Sequence, residues 1–212
     1  MTDASKLRRE YEGEPLDEES AAADPVEQFR VWFEAALAAG IEDANAMVLA
    51  TADAAGRPSG RVVLLKGYDP DGFSFYTNYA SRKAEDLTVN PRAEMVFYWP
   101  ALHRQVRIAG AVTRLPAADS DAYFASRPRG ARLGALASTQ SAVIAGRAEL
   151  EERYRRVEAE YEGREVPRPP GWGGYLLRPD AIEFWQGRSN RLHDRLRYRR
   201  QDGGWIRERL SP

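Results

Sequence analysis

Three segments of this 212-residue chain carry cations at spacings suited to an anionic ligand. In Tyr79-Ala80-Ser81-Arg82-Lys83-Ala84-Glu85-Asp86-Leu87, Ser81 stands at a helix N-cap position and Asn90-Pro91 ends the helix. Arg82 and Lys83 then occupy the first turn, the positive end of the helix dipole, where carboxylates are favoured. A bound anion removes that penalty, because free N–H groups with Arg and Lys make a phosphate site. A solvated surface turn is the alternative.

The second segment, Arg61-Val62-Val63-Leu64-Leu65-Lys66, reads as a buried strand with a cation at each end, or as a barrel strand whose charges simply reach water. Of 31 basic residues only Lys6, Lys66 and Lys83 are lysines, and two of them fall in these two segments, as a compact point charge at a phosphate would require. Strict pleating sets Arg61 and Lys66 on opposite faces, so a shared ligand needs a bulge, a strong twist or a ligand that wraps the strand end. In the third segment, Phe184-Trp185-Gln186-Gly187-Arg188-Ser189-Asn190-Arg191-Leu192-His193-Asp194-Arg195, alternation puts Arg191, His193 and Arg195 on one face. Three such groups repel one another and call for an anionic partner, unless this is an exposed basic edge strand.

Other catalytic equipment is sparse. His103 and His193 are the two histidines, in no HExxH arrangement, and no G-x-S-x-G, P-loop or G-x-G-x-x-G pattern occurs. Without Cys there is no disulfide, thiol nucleophile or thiolate metal site, and we expect no metal. An enzyme so built would leave the hard chemistry to a cofactor. A net charge of -1 gives no field that would draw the molecule to nucleic acid or an anionic membrane. Neither a ~20-residue apolar span nor a signal-peptide pattern is found, so a cytoplasmic protein is expected.

These residues need a framework. Residues 1–25 are polar and acidic and read as a mobile arm, and residues 26–212 as a single domain. Asp24-Pro25 opens a helix that Gly40 stops. Strands are predicted at Ala46–Thr51, Arg61–Tyr68, Phe73–Thr77, Ala93–Trp99, Gln105–Leu115, Tyr175–Leu177, Ala181–Trp185, Arg195–Arg200 and Gly204–Arg209, and helices at Ala117–Ser126 and Ala148–Glu162. Pro167–Gly174 reads as a stiff connector. Hairpins with helices that do not alternate with strands predict an α+β fold built on a β-barrel.

The string Trp185-Gln-Gly-x-x-x-Arg191-Leu-His-Asp-Arg195 resembles the C-terminal signature of pyridoxamine/pyridoxine 5'-phosphate oxidases. The likeness extends, in order, through Arg8-Arg-Glu-Tyr11, Arg61–Lys66, Tyr76-Thr77, Ser81-Arg-Lys83, Gln105, Tyr123-Phe-x-Ser-Arg127-Pro-Arg129 and Gln140-Ser141. It implies a split-barrel FMN-binding fold, with flanking helices, in a homodimer holding noncovalent FMN at the subunit interface. Arg61 to Lys66, Tyr76, Thr77, Arg82 and Lys83 would hold FMN from one subunit. Gln105, Gln140, Ser141, Trp185 and Arg195 would reach it, mostly from the other.

By the same resemblance the substrate phosphate would sit on Lys66, Tyr123 and Arg127, with Arg191 and His193 beside the reacting pyridine and Arg8 and Tyr11 as a lid. The reaction would be hydride transfer from pyridoxine or pyridoxamine 5'-phosphate to FMN, yielding pyridoxal 5'-phosphate, with O2 as acceptor and H2O2 released. One position departs from the pattern: Ala131 stands where the family commonly offers the substrate phosphate a Ser, a difference that bears on substrate affinity more than on reaction type. Two other implications stay open. One is a related split-barrel enzyme, a phenazine-biosynthesis oxidase or deazaflavin-type reductase; the other is a non-catalytic flavin or pyridoxal-phosphate carrier.

Overall fold

Asp24 caps the first helix, α1 (Pro25–Ala38), its carboxylate accepting the amides of Val26 and Glu27 at 2.8 and 3.0 Å. In this computed structural model residues 3–7 and 10–212 are described, so Arg8 lies outside the described residues. α1 lays Phe29, Trp32 and Ala36 on a curled sheet. Phe29 is fully buried, meeting the ring edges of Tyr68, Phe73 and Phe97 at 5.0–5.1 Å.

Among the described residues the sheet has nine strands, all paired antiparallel: β1 (Ala46–Ala52), β2 (Pro58–Leu64), β3 (Gly67–Asp69), β4 (Gly72–Asn78), β5 (Arg92–Trp99), β6 (Arg104–Arg114), β7 (Trp172–Gln186), β8 (Asp194–Gln201) and β9 (Gly204–Arg209). Its order is β2-β1-β5-β6-β7-β4-β3, with β9 and β8 added beside β7. Four more helices flank it: α2 (Arg82–Val89), α3 (Ala117–Ser126), α4 (Arg129–Ala137) and α5 (Arg147–Glu160). A small second core of Phe124, Leu133, Val166 and Trp172 lies beneath α3 to α5. The α+β barrel class holds.

Three local expectations are corrected. The single strand over Arg61–Tyr68 is two: β2 leaves β1 after Leu64, the Leu65 amide donates to Asn45 O at 2.8 Å, and the Lys66 amide donates to Ser74 O at 2.9 Å. The chain thus changes sheet partners between Arg61 and Lys66, and pleat parity does not carry across. Conversely, Tyr175–Leu177 and Ala181–Trp185 belong to one 15-residue strand, β7, continuous through a bulge opposite Ala109/Gly110. A Cβ on Gly110 would stand 1.9 Å from the Arg178 carbonyl oxygen, so β6 can pass that bulge only with glycine there. Third, β8 begins at Asp194. Ser189–Arg191 form a 3-10 turn in which Asn190 and Arg191 take φ of 57° and 62°, so Arg191, His193 and Arg195 do not share one pleated face.

α4 was not anticipated; Gly130 and Gly134 give its sequence low helix propensity. The described part of the N-terminal segment lies along β8 and β9: the Leu16 amide donates to Asp194 at 3.2 Å and Tyr198 OH to Ala22 O at 2.6 Å.

Candidate functional site

Arg61 on β2, Thr77 on β4 and Lys83 on α2 meet at a cleft of about 650 Å³. Ser81 is the N-cap residue of α2 by backbone shape, but its hydroxyl makes no cap. It turns inward and accepts from Lys83 Nζ at 3.2 Å, while Thr77 Oγ1 accepts from the same ammonium at 3.1 Å. Lys83 is buried, with two hydroxyls and no carboxylate as partners among the described residues. Burial, and secondly the nearby Arg61 guanidinium, push its pKa below the usual lysine value. A buried cation in that state is the chemistry of an anion site, and the residues fit a phosphate monoester. Arg61 Nη1 donates to Thr51 Oγ1 at 2.7 Å and to Leu49 O at 3.0 Å. Gln140 Oε1 accepts from Thr77 at 3.0 Å and Ser141 Oγ from the Arg82 amide at 3.3 Å.

A second cleft, about 610 Å³, adjoins the first and shares Val63, Leu64, Tyr76, Thr77 and Gln140 with it. Lys66, Tyr123, Arg127 and Ala131 line its far part. Tyr76 stacks on Tyr123 at 3.9 Å, and both rings lie nearly parallel to Trp172. Arg127 rests its guanidinium over Trp172 at 4.8 Å, and its Nη1 is buried without a hydrogen-bond partner. Desolvation lowers its pKa, a penalty an anion would relieve.

The remaining predicted residues gather elsewhere in the same chain. Gln105, Trp185 and Arg195 are direct cross-strand neighbours on β6, β7 and β8. Tyr11 sets its ring edgewise against Trp185 at 5.7 Å, His193 at 5.6 Å and His103 at 4.9 Å, and Arg191 lies 5.8 Å from its centre. His193 Nδ1 accepts the Arg188 amide at 3.0 Å, so the neutral ring carries its proton on Nε2. Burial, then the Arg191 charge, lower the His193 pKa. Arg195 has its anionic partner inside the protein: Nε donates to Glu183 Oε1 at 2.9 Å.

The chain therefore joins Arg61, Val62 to Leu64, Lys66, Tyr76, Thr77, Arg82, Lys83, Tyr123, Arg127, Gln140 and Ser141 around two continuous clefts. It sets Gln105, Trp185, Arg191, His193, Arg195 and Tyr11 apart from them. Leu65 is buried in the main core instead. β7 measures the separation: Gly174 pairs with Tyr76, and Trp185, eleven residues on (185 less 174), pairs with Gln105. At ~3.3 Å per residue that is up to about 35 Å along the strand. Thr51, Asp86, Trp172, Glu183 and His103 were missed from sequence; only the Arg82/Asp86 i,i+4 spacing signalled any of them.

The sheet and its clefts define a split-barrel protein, a class that includes a pyridoxamine 5'-phosphate oxidase-related, FMN-binding protein from Nostoc punctiforme (TM-score 0.69, 23% identity, 87% of this chain and 97% of that one). Residues 33–161 match the pyridoxamine 5'-phosphate oxidase family model, and residues 172–212 the pyridoxine 5'-phosphate oxidase C-terminal dimerisation region. The chain belongs to the pyridoxamine 5'-phosphate oxidase family. It is 57% identical to the pyridoxine/pyridoxamine 5'-phosphate oxidase of Rubrobacter xylanophilus over 99% of this chain and 97% of that protein. Identity to the oxidase of the same name from Salinibacter ruber is also 57%, over the whole of both. PhzG from Burkholderia lata, solved with tetrahydrophenazine-1-carboxylic acid, has a TM-score of 0.89 and 32% identity over 94% of this chain and 99% of that one.

Proposed function

We infer that the protein oxidises pyridoxine 5'-phosphate or pyridoxamine 5'-phosphate to pyridoxal 5'-phosphate, with noncovalent FMN as cofactor, O2 as acceptor and H2O2 released. The observation that carries this is the pair of cationic ends on adjoining clefts, Arg61/Arg82/Lys83 in one and Lys66/Arg127 in the other. A cofactor and a substrate that each bear one phosphate would fill both. Bound FMN supplies the two-electron acceptor.

The chain's own residues bind, orient and exclude water. Arg61, Arg82 and Lys83 take the FMN phosphate; Val62 to Leu64, Tyr76, Thr77, Gln140 and Ser141 line the rest of that site. Lys66, Tyr123 and Arg127 take the substrate phosphate, with Ala131 beside them. Arg191 and His193 flank the substrate ring, where His193 offers Nε2–H; Gln105, Trp185 and Arg195 close the flavin side. Arg8 and Tyr11 cover the substrate as a lid.

Because the last groups stand far along β7 from the clefts, a second copy supplies them, and the active unit is a homodimer with two equivalent sites. The match at 172–212 to a dimerisation region supports this, as does the exposed apolar face of Val48, Val62 and Leu64 on β1 and β2. Among the described residues no helix is long and apolar enough to cross a membrane, and we place the enzyme in the cytoplasm.

The purified protein should be yellow, release FMN and no FAD on acid precipitation, and bleach anaerobically on adding pyridoxine 5'-phosphate. In air it should then form peroxide. Binding without peroxide would instead make it a carrier, and oxidation of a tetrahydrophenazine carboxylate in preference to either phosphate would overturn the substrate assignment.

A further inference from the structure

Asp86 lies one turn beyond Arg82 on α2 and is 2% exposed. Its Oδ2 accepts from Thr51 Oγ1 at 2.6 Å, its Oδ1 from Arg82 Nε at 3.2 Å, and Arg61 Nη2 stands 3.8 Å away. Thr51 accepts from Arg61 Nη1 at 2.7 Å, so carboxylate, hydroxyl and guanidinium form one relay behind the first cleft. Asp53 also approaches Arg82, at 3.9 Å, but is itself paired with Arg57 at 2.7 Å. Arg61, Arg82 and Lys83 bring three positive charges to the cleft, and Asp86 removes one. The two that remain match a phosphate monoester, which carries roughly -1.5 to -2 at neutral pH.

We propose that Asp86 is a positioning residue for the phosphate of the cofactor. It holds the Arg61 and Arg82 guanidinium groups from behind, so that their free N–H groups face the cleft, and it sets the charge of the cradle to suit a dianion. A charge-assisted hydrogen bond keeps its strength only in good geometry, so orientation decides how much of the cationic charge a phosphate can use. This rests on the assignment of the cleft to FMN.

The test is fluorescence titration of the apoprotein with FMN and, separately, with riboflavin, which lacks the phosphate. Asp86→Asn should weaken FMN about tenfold and change riboflavin by less than about twofold, the scale of one misdirected charged hydrogen bond. If Asp86 acted only as a competing negative charge, FMN would bind more tightly; if it were merely structural, both ligands would weaken alike. Either result overturns the proposal. Thr51→Val keeps the carboxylate but cuts the relay to Arg61, and should show the same selective loss at about threefold; if Asp86→Asn does not fold, an unchanged FMN-to-riboflavin ratio in Thr51→Val overturns it. Failure of the unsubstituted apoprotein to bind FMN would instead overturn the cofactor assignment itself.

Discussion

Glu183 and Arg195 are joined diagonally across β7 and β8, the Glu183 carboxylate lying 2.8 Å from Arg195 Nη2 and accepting its Nε at 2.9 Å. Glu183 is buried, and Arg107 stands 3.5 Å off on the neighbouring strand. Truncating Arg195 leaves that carboxylate with one distant partner. Arg195→Ala should therefore cost about 1–3 kcal/mol by denaturant unfolding of the apoprotein, as well as lowering flavin retention.

Shared sites can be tested by mixing two inactive variants, Lys83→Ala and Arg195→Ala. A heterodimer would contain one site with both lesions and one with neither, so subunit exchange should restore part of the activity. No recovery, with exchange verified by mass, would mean each site belongs to one chain.

Lys83 has a pKa depressed by burial and by Arg61. The sign follows from linkage: at neutral pH the unliganded protein bears the full cost of the buried charge, which is relieved as pH rises through the folded pKa towards the unfolded value of 10.5. A bound phosphate favours the charged amine, so FMN affinity should fall as pH climbs through the depressed pKa. Lys83→Met should bind FMN more weakly and lose that part of the pH dependence in equilibrium titrations.

His193 behaves in the opposite pH range. Its pKa is lowered from 6.5, so the neutral ring is the folded form at pH 7. The contribution to stability is complete above 6.5 and lost as pH falls through the folded pKa. The acidic limb of kcat/KM should lie below 6.5, and Arg191→Met, which removes one cause of the shift, should move that limb upward.

Ala131 lines the second cleft together with Lys66, Tyr123 and Arg127. Ala131→Ser should lower the KM for pyridoxine 5'-phosphate by roughly tenfold with kcat little changed, because a remote phosphate contact is made equally in ground and transition states. An unchanged KM in steady-state assays would mean that another donor already satisfies the phosphate.

What the sequence determined by itself was local: the Asp24 cap, the antiparallel strands and the three cationic segments all follow from patterns within a few residues, where propensity and side-chain period act. The segment at Ser81–Lys83 was legible as an anion site because Arg82 and Lys83 sit against the helix dipole. Tertiary structure decided which cations share a ligand. The exchange of sheet partners after Leu64 is set by Asn45, twenty residues before Leu65, and by Ser74 on the hairpin strand that follows, and it leaves Arg61 and Lys66 on two adjoining clefts. The continuity of β7 depends on Gly110 passing the Arg178 carbonyl, and it carries Trp185 away from the clefts. Asp86 meets Arg82 by the helical i,i+4 period, but its burial beside Arg61, and that of Glu183 beside Arg195, are products of strand register and helix docking, which no local period encodes.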